Sequence, residues 1–152
     1  MDPDLKELYQ QTILDHNRSP RNFGKLLHPT HTATGDNPLC GDHIDVFLHV
    51  ENETIVDIHF EGKGCAISKA SASLMTTVLK GKTKSEAREL FKRFHSLVTE
   101  SSESNDMRHS DLGKLQVFSG VREFPIRVKC ASLAWHTFLE AIQRTGNTVT
   151  TE

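Results

Sequence analysis

"HIDVFLHVENETIVDIHF", residues 43–60, is the stretch on which the fold turns. Ile44, Val46, Leu48 and Val50 alternate with other residues, and Val56, Ile58 and Phe60 resume the alternation after the "ENET" turn. Successive strand side chains point to opposite faces, so this spacing predicts a β-hairpin with one buried face. His49, Asp57 and His59 fall on the polar face.

Downstream the period lengthens. In "GKGCAISKASASLMTTVLKGKT" (62–83), Ile67, Ala70, Ser71, Leu74, Met75 and Val78 share one helix face, and Gly81 suits its stop. Thr83 and Glu86 form a capping box that opens a second helix through about Val98. Residues 99–113 are polar, have little to bury and read as a connection. "LGKLQVFSGVREF" (112–124) reads as a short helix and a bend. The last helix begins at Pro125, with Ala131, Ala134, Trp135, Phe138 and Ile142 on one face and Gly146 beyond its end. Trp135 and Phe138 read as core.

Upstream, Leu5, Leu8, Tyr9, Thr12 and Ile13 mark a helix that Pro20 stops. Residues 18–38 hold Pro20, Gly24, Pro29, Gly35 and Pro38, and read as loop with one short strand at "THTAT" (30–34). This order predicts an α+β domain spanning 1–152: a small antiparallel sheet of about three strands with helices packed on one face.

The chain has 152 residues and a formal charge of -2, so no basic excess points to nucleic acid. "MDPDLKELYQ" is acidic and polar, unlike a secretory signal, and no apolar run nears the roughly 18 residues of a membrane helix. The expectation is a cytoplasmic chain with neither membrane nor nucleic-acid partners.

Three cysteines make no complete disulfide set, and in a reducing compartment they are buried bystanders, metal ligands or reactive thiols. Each stands at an expected element boundary. Cys40, with Asp42, lies in the turn before the hairpin; Cys65 opens a helix after Gly62-Lys63-Gly64; Cys130 lies in or just before the first turns of the last helix. Backbone N–H groups and the dipole at a helix start lower a thiol's pKa, and the thiolate is both ligand and nucleophile. Glycines before Cys65 allow close backbone approach. If these boundaries meet at one end of the sheet, three thiolates and a carboxylate form a four-ligand set of the kind zinc accepts. Around a dication that set carries a formal charge of about -2, which Lys63, Arg127 and Lys129 are placed to offset. Asp42 equally suits a turn, and the basic residues equally suit solvent. Among nine histidines none has zinc spacing to a cysteine, and His28 and His31 read as surface residues. No Ser/His/Asp arrangement is apparent, and "GKGC" lacks the Lys-Ser/Thr ending of a phosphate loop.

"GDNPLCGD", "GKGCAISKASASLM" and "VREFPIRVKCASLAW" together resemble the U-type iron–sulfur cluster assembly family of IscU, the N-terminal part of NifU, and SufU. The resemblance runs from the first helix to the last and is closest to the SufU branch. Lys129 stands where IscU-type proteins have a histidine, "EFPIRVK" stands in place of an LPPVK-like chaperone motif, and the connection over about 90–113 is longer. The resemblance implies that Cys40, Asp42, Cys65 and Cys130 are zinc ligands and that Cys40 is the sulfur acceptor. It implies a PLP-dependent, SufS-like cysteine desulfurase as partner, whose histidine competes for the metal and frees Cys40. Downstream iron–sulfur assembly proteins would then take the sulfur. The activity expected is that of a zinc-dependent sulfurtransferase. The alternative is a scaffold that holds iron or a transient [2Fe–2S] cluster on the same ligands. A third possibility is an adapter in which zinc serves folding alone.

Overall fold

The computed structural model describes residues 3–99, 110–143 and 149–150. Three strands form an antiparallel meander, β1 (His31–Asn37), β2 (Asp42–Glu51) and β3 (Thr54–Lys63). A two-residue strand, β4 (Val149–Thr150), adds to β1 in parallel, giving the order β3-β2-β1-β4. The three antiparallel strands are those expected, but β1 runs past "THTAT" to Asn37, which pairs with Asp42. Gly35, Asp36 and Asn37 carry little strand propensity; pairing with β2 imposes the strand. His31, expected at the surface, is buried at the start of β1, its Nδ1 2.8 Å from Thr30 Oγ1.

Ile44, Val46 and Leu48 are buried with Ile58 and Phe60 on the helix-facing side. Val56 departs from the expected alternation. The register steps from His49↔Asp57 to Val50↔Ile55, which leaves Val56 as the extra residue of a β-bulge. The bulge turns Val56 outward, 43% exposed, and puts Ile55 into the core instead.

Helix α1 (Pro3–Arg18) precedes the sheet, and α2 (Ala66–Leu79) and α3 (Lys84–Thr99) follow it. The Thr83–Glu86 capping box forms: the Glu86 N–H donates to Thr83 Oγ1 at 3.1 Å and the Thr83 N–H to Glu86 Oε1 at 3.0 Å. Residues 110–123 wind as 3₁₀ turns (Ser110–Glu123) kinked at Gly113, and α4 (Pro125–Gln143) runs behind the sheet against β1 and β2. Leu112, at the end of the stretch read as polar connection, is buried. The rest of that connection, 100–109, and Gly146 lie outside the described residues. Trp135 and Phe138 are core residues, Trp135 stacking on Phe94 with ring centroids 4.6 Å apart.

Helix α2 is buried beyond one face because it lies between α1 and α4. Its run Ala70-Ser71-Ala72-Ser73 lets both neighbours approach closely. Ser71 Oγ donates to the Ala131 carbonyl at 2.6 Å, tying α2 to α4 beside Cys130. On the other side Ser73 Oγ accepts from the Arg21 N–H at 2.8 Å and lies 2.7 Å from Nδ1 of buried His16.

Burial holds His16 below its usual range, and the nearby Arg21 charge adds to this. With the folded-state pKa below the unfolded one, its stabilising contribution is whole above about pH 6.5 and is lost as pH falls through the folded-state value. His43 and His49 shift the opposite way, through hydrogen bonds to Asp36 and Glu51, so the test compares variants. His16→Gln should lose less stability than the unchanged protein between about pH 7.5 and 5.5 in urea unfolding. Equal losses would remove His16 from the acid response.

Candidate metal centre

The four residues come from three places in the chain. In the β1–β2 turn the Cys40 N–H donates to the Asn37 carbonyl at 3.2 Å. Gly41 follows at φ 71°, a left-handed conformation natural to glycine, and a side chain there would meet nothing within 4 Å. The tip is therefore open: Leu39 is 68% exposed and Cys40 half-buried. Asp42 is the first residue of β2 rather than part of the turn, and only 2% exposed.

Cys65 is the N-cap of α2 (Ala66–Leu79), with φ -70° and ψ 167°. Its sulfur accepts the Ser68 N–H at 3.4 Å, and its own N–H donates to Asp42 Oδ1 at 2.9 Å. Asp42 Oδ2 then faces Cys65 Sγ at 3.9 Å. Gly64 makes this possible, because a Cβ there would collide with Oδ1 and Cγ of Asp42. The glycine before the cysteine thus serves the close approach expected of it.

Cys130 lies within the first turns of the last helix, as expected, but past its start. The last helix begins at Pro125, so Cys130 stands in its second turn, beyond the unpaired N–H groups, and is 3% exposed. Its sulfur lies 3.6 Å from Cys40 Sγ and also hydrogen-bonds Cys65. The thiol pair divides its proton unequally. Cys65 is lowered to about 7, first by the Cys130 hydrogen bond and then by the Ser68 and Ile67 N–H groups, against burial and the Asp42 charge. Cys130 is pushed well above the usual thiol range by the same bond, by burial and by the Cys65 and Asp42 charges. The helix-start argument thus holds for Cys65 and fails for Cys130.

Ligand atoms of Cys40, Asp42 and Cys130 all lie within 4.8 Å of one another, and Cys65 joins them through Asp42 and Cys130. A tetrahedral zinc with Zn–S bonds of about 2.3 Å holds its sulfurs roughly 3.8 Å apart. The Cys40–Cys130 separation of 3.6 Å is close to that, so Cys40, Asp42 and Cys130 fit zinc in type and spacing, and Cys65 stands beside them as a fourth donor of the right type. Of the basic neighbours, Lys63 is exposed at the end of β3 and Lys129 half-buried on α4. The Arg127 guanidinium lies over Phe124, 4.5 Å from the ring centre.

Sequence reasoning missed Asn37. It is wholly buried opposite Asp42, and neither Oδ1 nor Nδ2 has a partner among the described residues. It falls in the 18–38 stretch that reads mostly as loop, where nothing singles it out.

Residues 8–144 match the model of the NifU-like N-terminal domain, and the chain belongs to this family of IscU and SufU iron–sulfur cluster assembly proteins. It is 38% identical over 140 residues to the zinc-dependent sulfurtransferase SufU of Bacillus subtilis, covering 92% of both chains. It is 38% identical over 143 residues to the iron–sulfur cluster assembly scaffold protein IscU of Streptococcus pyogenes serotype M1, covering 94% of this chain and 87% of that protein. Among solved structures it resembles an iron–sulfur cluster assembly scaffold protein for the SUF system from Fervidobacterium islandicum. There the TM-score is 0.80 at 33% identity, over 90% of this chain and 97% of that one. No described helix is long and apolar enough to cross a membrane.

Proposed function

We propose that the protein is a zinc-dependent sulfur acceptor, taking persulfide sulfur from a PLP-dependent cysteine desulfurase for iron–sulfur cluster biogenesis. The observation that carries this reading is the convergence of Cys40, Asp42 and Cys130, with Cys65 Sγ 3.9 Å from Asp42 Oδ2 and, of the four, only Cys40 on an open turn. Cys40, Asp42, Cys65 and Cys130 would hold the zinc, whose charge keeps the thiolates deprotonated.

Cys130 belongs to a helix, Cys65 caps one, and Asp42 belongs to a strand clamped by the Cys65 N–H; Cys40 belongs to a turn whose tip no described residue covers at Gly41. Cys40 is thus the ligand that can leave without melting an element. Freed by the partner's competing ligand, its thiolate attacks the outer sulfur of the donor persulfide. A Cys40 S–S bond forms, the donor S–S bond breaks, and the electron pair and negative charge leave on the donor cysteine. The proton on the outer sulfur travels with it. Lys63 and Lys129 are placed to offset the centre's formal charge of about -2; the Arg127 charge is drawn to the Phe124 ring.

The second reading, a scaffold for a [2Fe–2S] cluster, has its support in the Streptococcus and Fervidobacterium relatives, both described as scaffold proteins. The same thiolates suit iron, and Lys129 in the position next to Cys130 offers no imidazole ligand. Elemental analysis of protein purified without oxygen separates the two. About one zinc per chain with negligible iron and acid-labile sulfide is expected; stoichiometric iron with matching sulfide would turn the assignment to scaffold.

A further inference from the structure

We infer that Asn37 is a positioning residue of the metal centre, its side-chain Nδ2–H group donating to the Cys40 sulfur when a metal is bound. Asn37 is 0% exposed, and both Nδ2 and Oδ1 are enclosed without a hydrogen-bond partner among the described residues. Buried side-chain amides are ordinarily paired, so this one needs an account. The ordinary role of asparagine at the head of a turn is to bond a backbone N–H of that turn through Oδ1. Here the turn is closed by backbone alone, the Asn37 carbonyl accepting the Cys40 N–H at 3.2 Å, and the carboxamide takes no part.

Its position points to the metal centre. Asn37 and Asp42 are register partners in the β1–β2 ladder, and directly opposed residues carry their side chains on the same face. Asp42 has its Oδ1 committed to the Cys65 N–H. Cys40, held to Asn37 through the turn backbone, lies 3.6 Å from Cys130 at the same end of the sheet. A neutral thiol is a weak acceptor, whereas a metal-bound thiolate is a charged one and draws the N–H donor it was lacking. Such outer donors orient a ligand and temper its basicity. On Cys40 the effect would be to hold the mobile ligand in place until a partner displaces it.

The inference rests on the metal reading of the four residues. Zinc affinity measured by chelator competition should fall about 10–100-fold in Asn37→Leu, a variant of similar volume without the donor. The sulfur-to-metal charge-transfer bands of the cobalt-loaded variant should shift. Stability without added metal should hold or rise, because two unpaired polar atoms are removed. Wild-type affinity with unchanged cobalt bands in Asn37→Leu would overturn the role. Should that variant not fold, the unmutated protein carries the test. Loaded with an NMR-active cadmium isotope, its Asn37 side-chain amide protons should move downfield and couple to the metal through the Cys40 sulfur. Unmoved, uncoupled protons would overturn the inference. A wild-type chain that takes up neither zinc nor cobalt would overturn the metal reading itself.

Discussion

Replacing Cys40 by serine is expected to leave a cysteine desulfurase turning over at its unassisted rate, even with the variant fully loaded with zinc. Sulfur–sulfur exchange needs a thiolate, and a serine hydroxyl stays protonated and is a poor nucleophile toward sulfur. Loss of a sole nucleophile is worth on the order of 10³-fold or more, down to whatever background the desulfurase has. The fold should tolerate the change, since Cys40 is half-buried on a turn with open space at Gly41. Zinc should remain, more weakly bound, because Asp42, Cys65 and Cys130 supply the three protein ligands typical of an open zinc site. A Cys40→Ser protein that still accelerated the desulfurase would remove Cys40 from the reaction.

The second large effect concerns stability. Cys130 is 3% exposed, anchored in α4 and in contact with Cys40 and Cys65, so Cys130→Ser should weaken metal binding far more than Cys40→Ser does. A metal held only by the folded chain, present at 1,000 times its dissociation constant, adds about 4 kcal/mol to the unfolding free energy. For a chain of this size that corresponds to roughly 8–16 °C in melting temperature. A chelator should lower the melting temperature of the unmutated protein by about that much and that of Cys130→Ser by much less. A melting temperature indifferent to chelation in both proteins would mean that the four side chains hold no metal.

Much of the frame was legible because local chemistry and tertiary packing agree there. The alternation over 44–48 and the Thr83–Glu86 box each match the element found. The parts that were not legible depend on long-range partners. β1 is a strand because β2 offers it a ladder, and the small, polar 34–37 residues gave no period to read. Val56 turns outward because of a one-residue register step that no pattern announces. As for the centre, spacing placed each cysteine near an element end but left open whether those ends meet. Recognition of the three motifs supplied that expectation, and packing brings the side chains together: the Asn37↔Asp42 pair, the Gly64 approach and the Ser71–Ala131 tie. Asn37 escaped because an unpaired buried amide is invisible until its surroundings are known.

The most direct measurement is a single-turnover reaction. Zinc-loaded protein is mixed with a PLP-dependent cysteine desulfurase already charged with persulfide, trapped by alkylation, and mapped by peptide mass spectrometry. The account predicts one added sulfur atom on the Cys40 peptide, with the Cys65 and Cys130 peptides unmodified and zinc still bound. Sulfur appearing first on Cys65 or Cys130, or none transferred to the zinc-loaded chain, would contradict it.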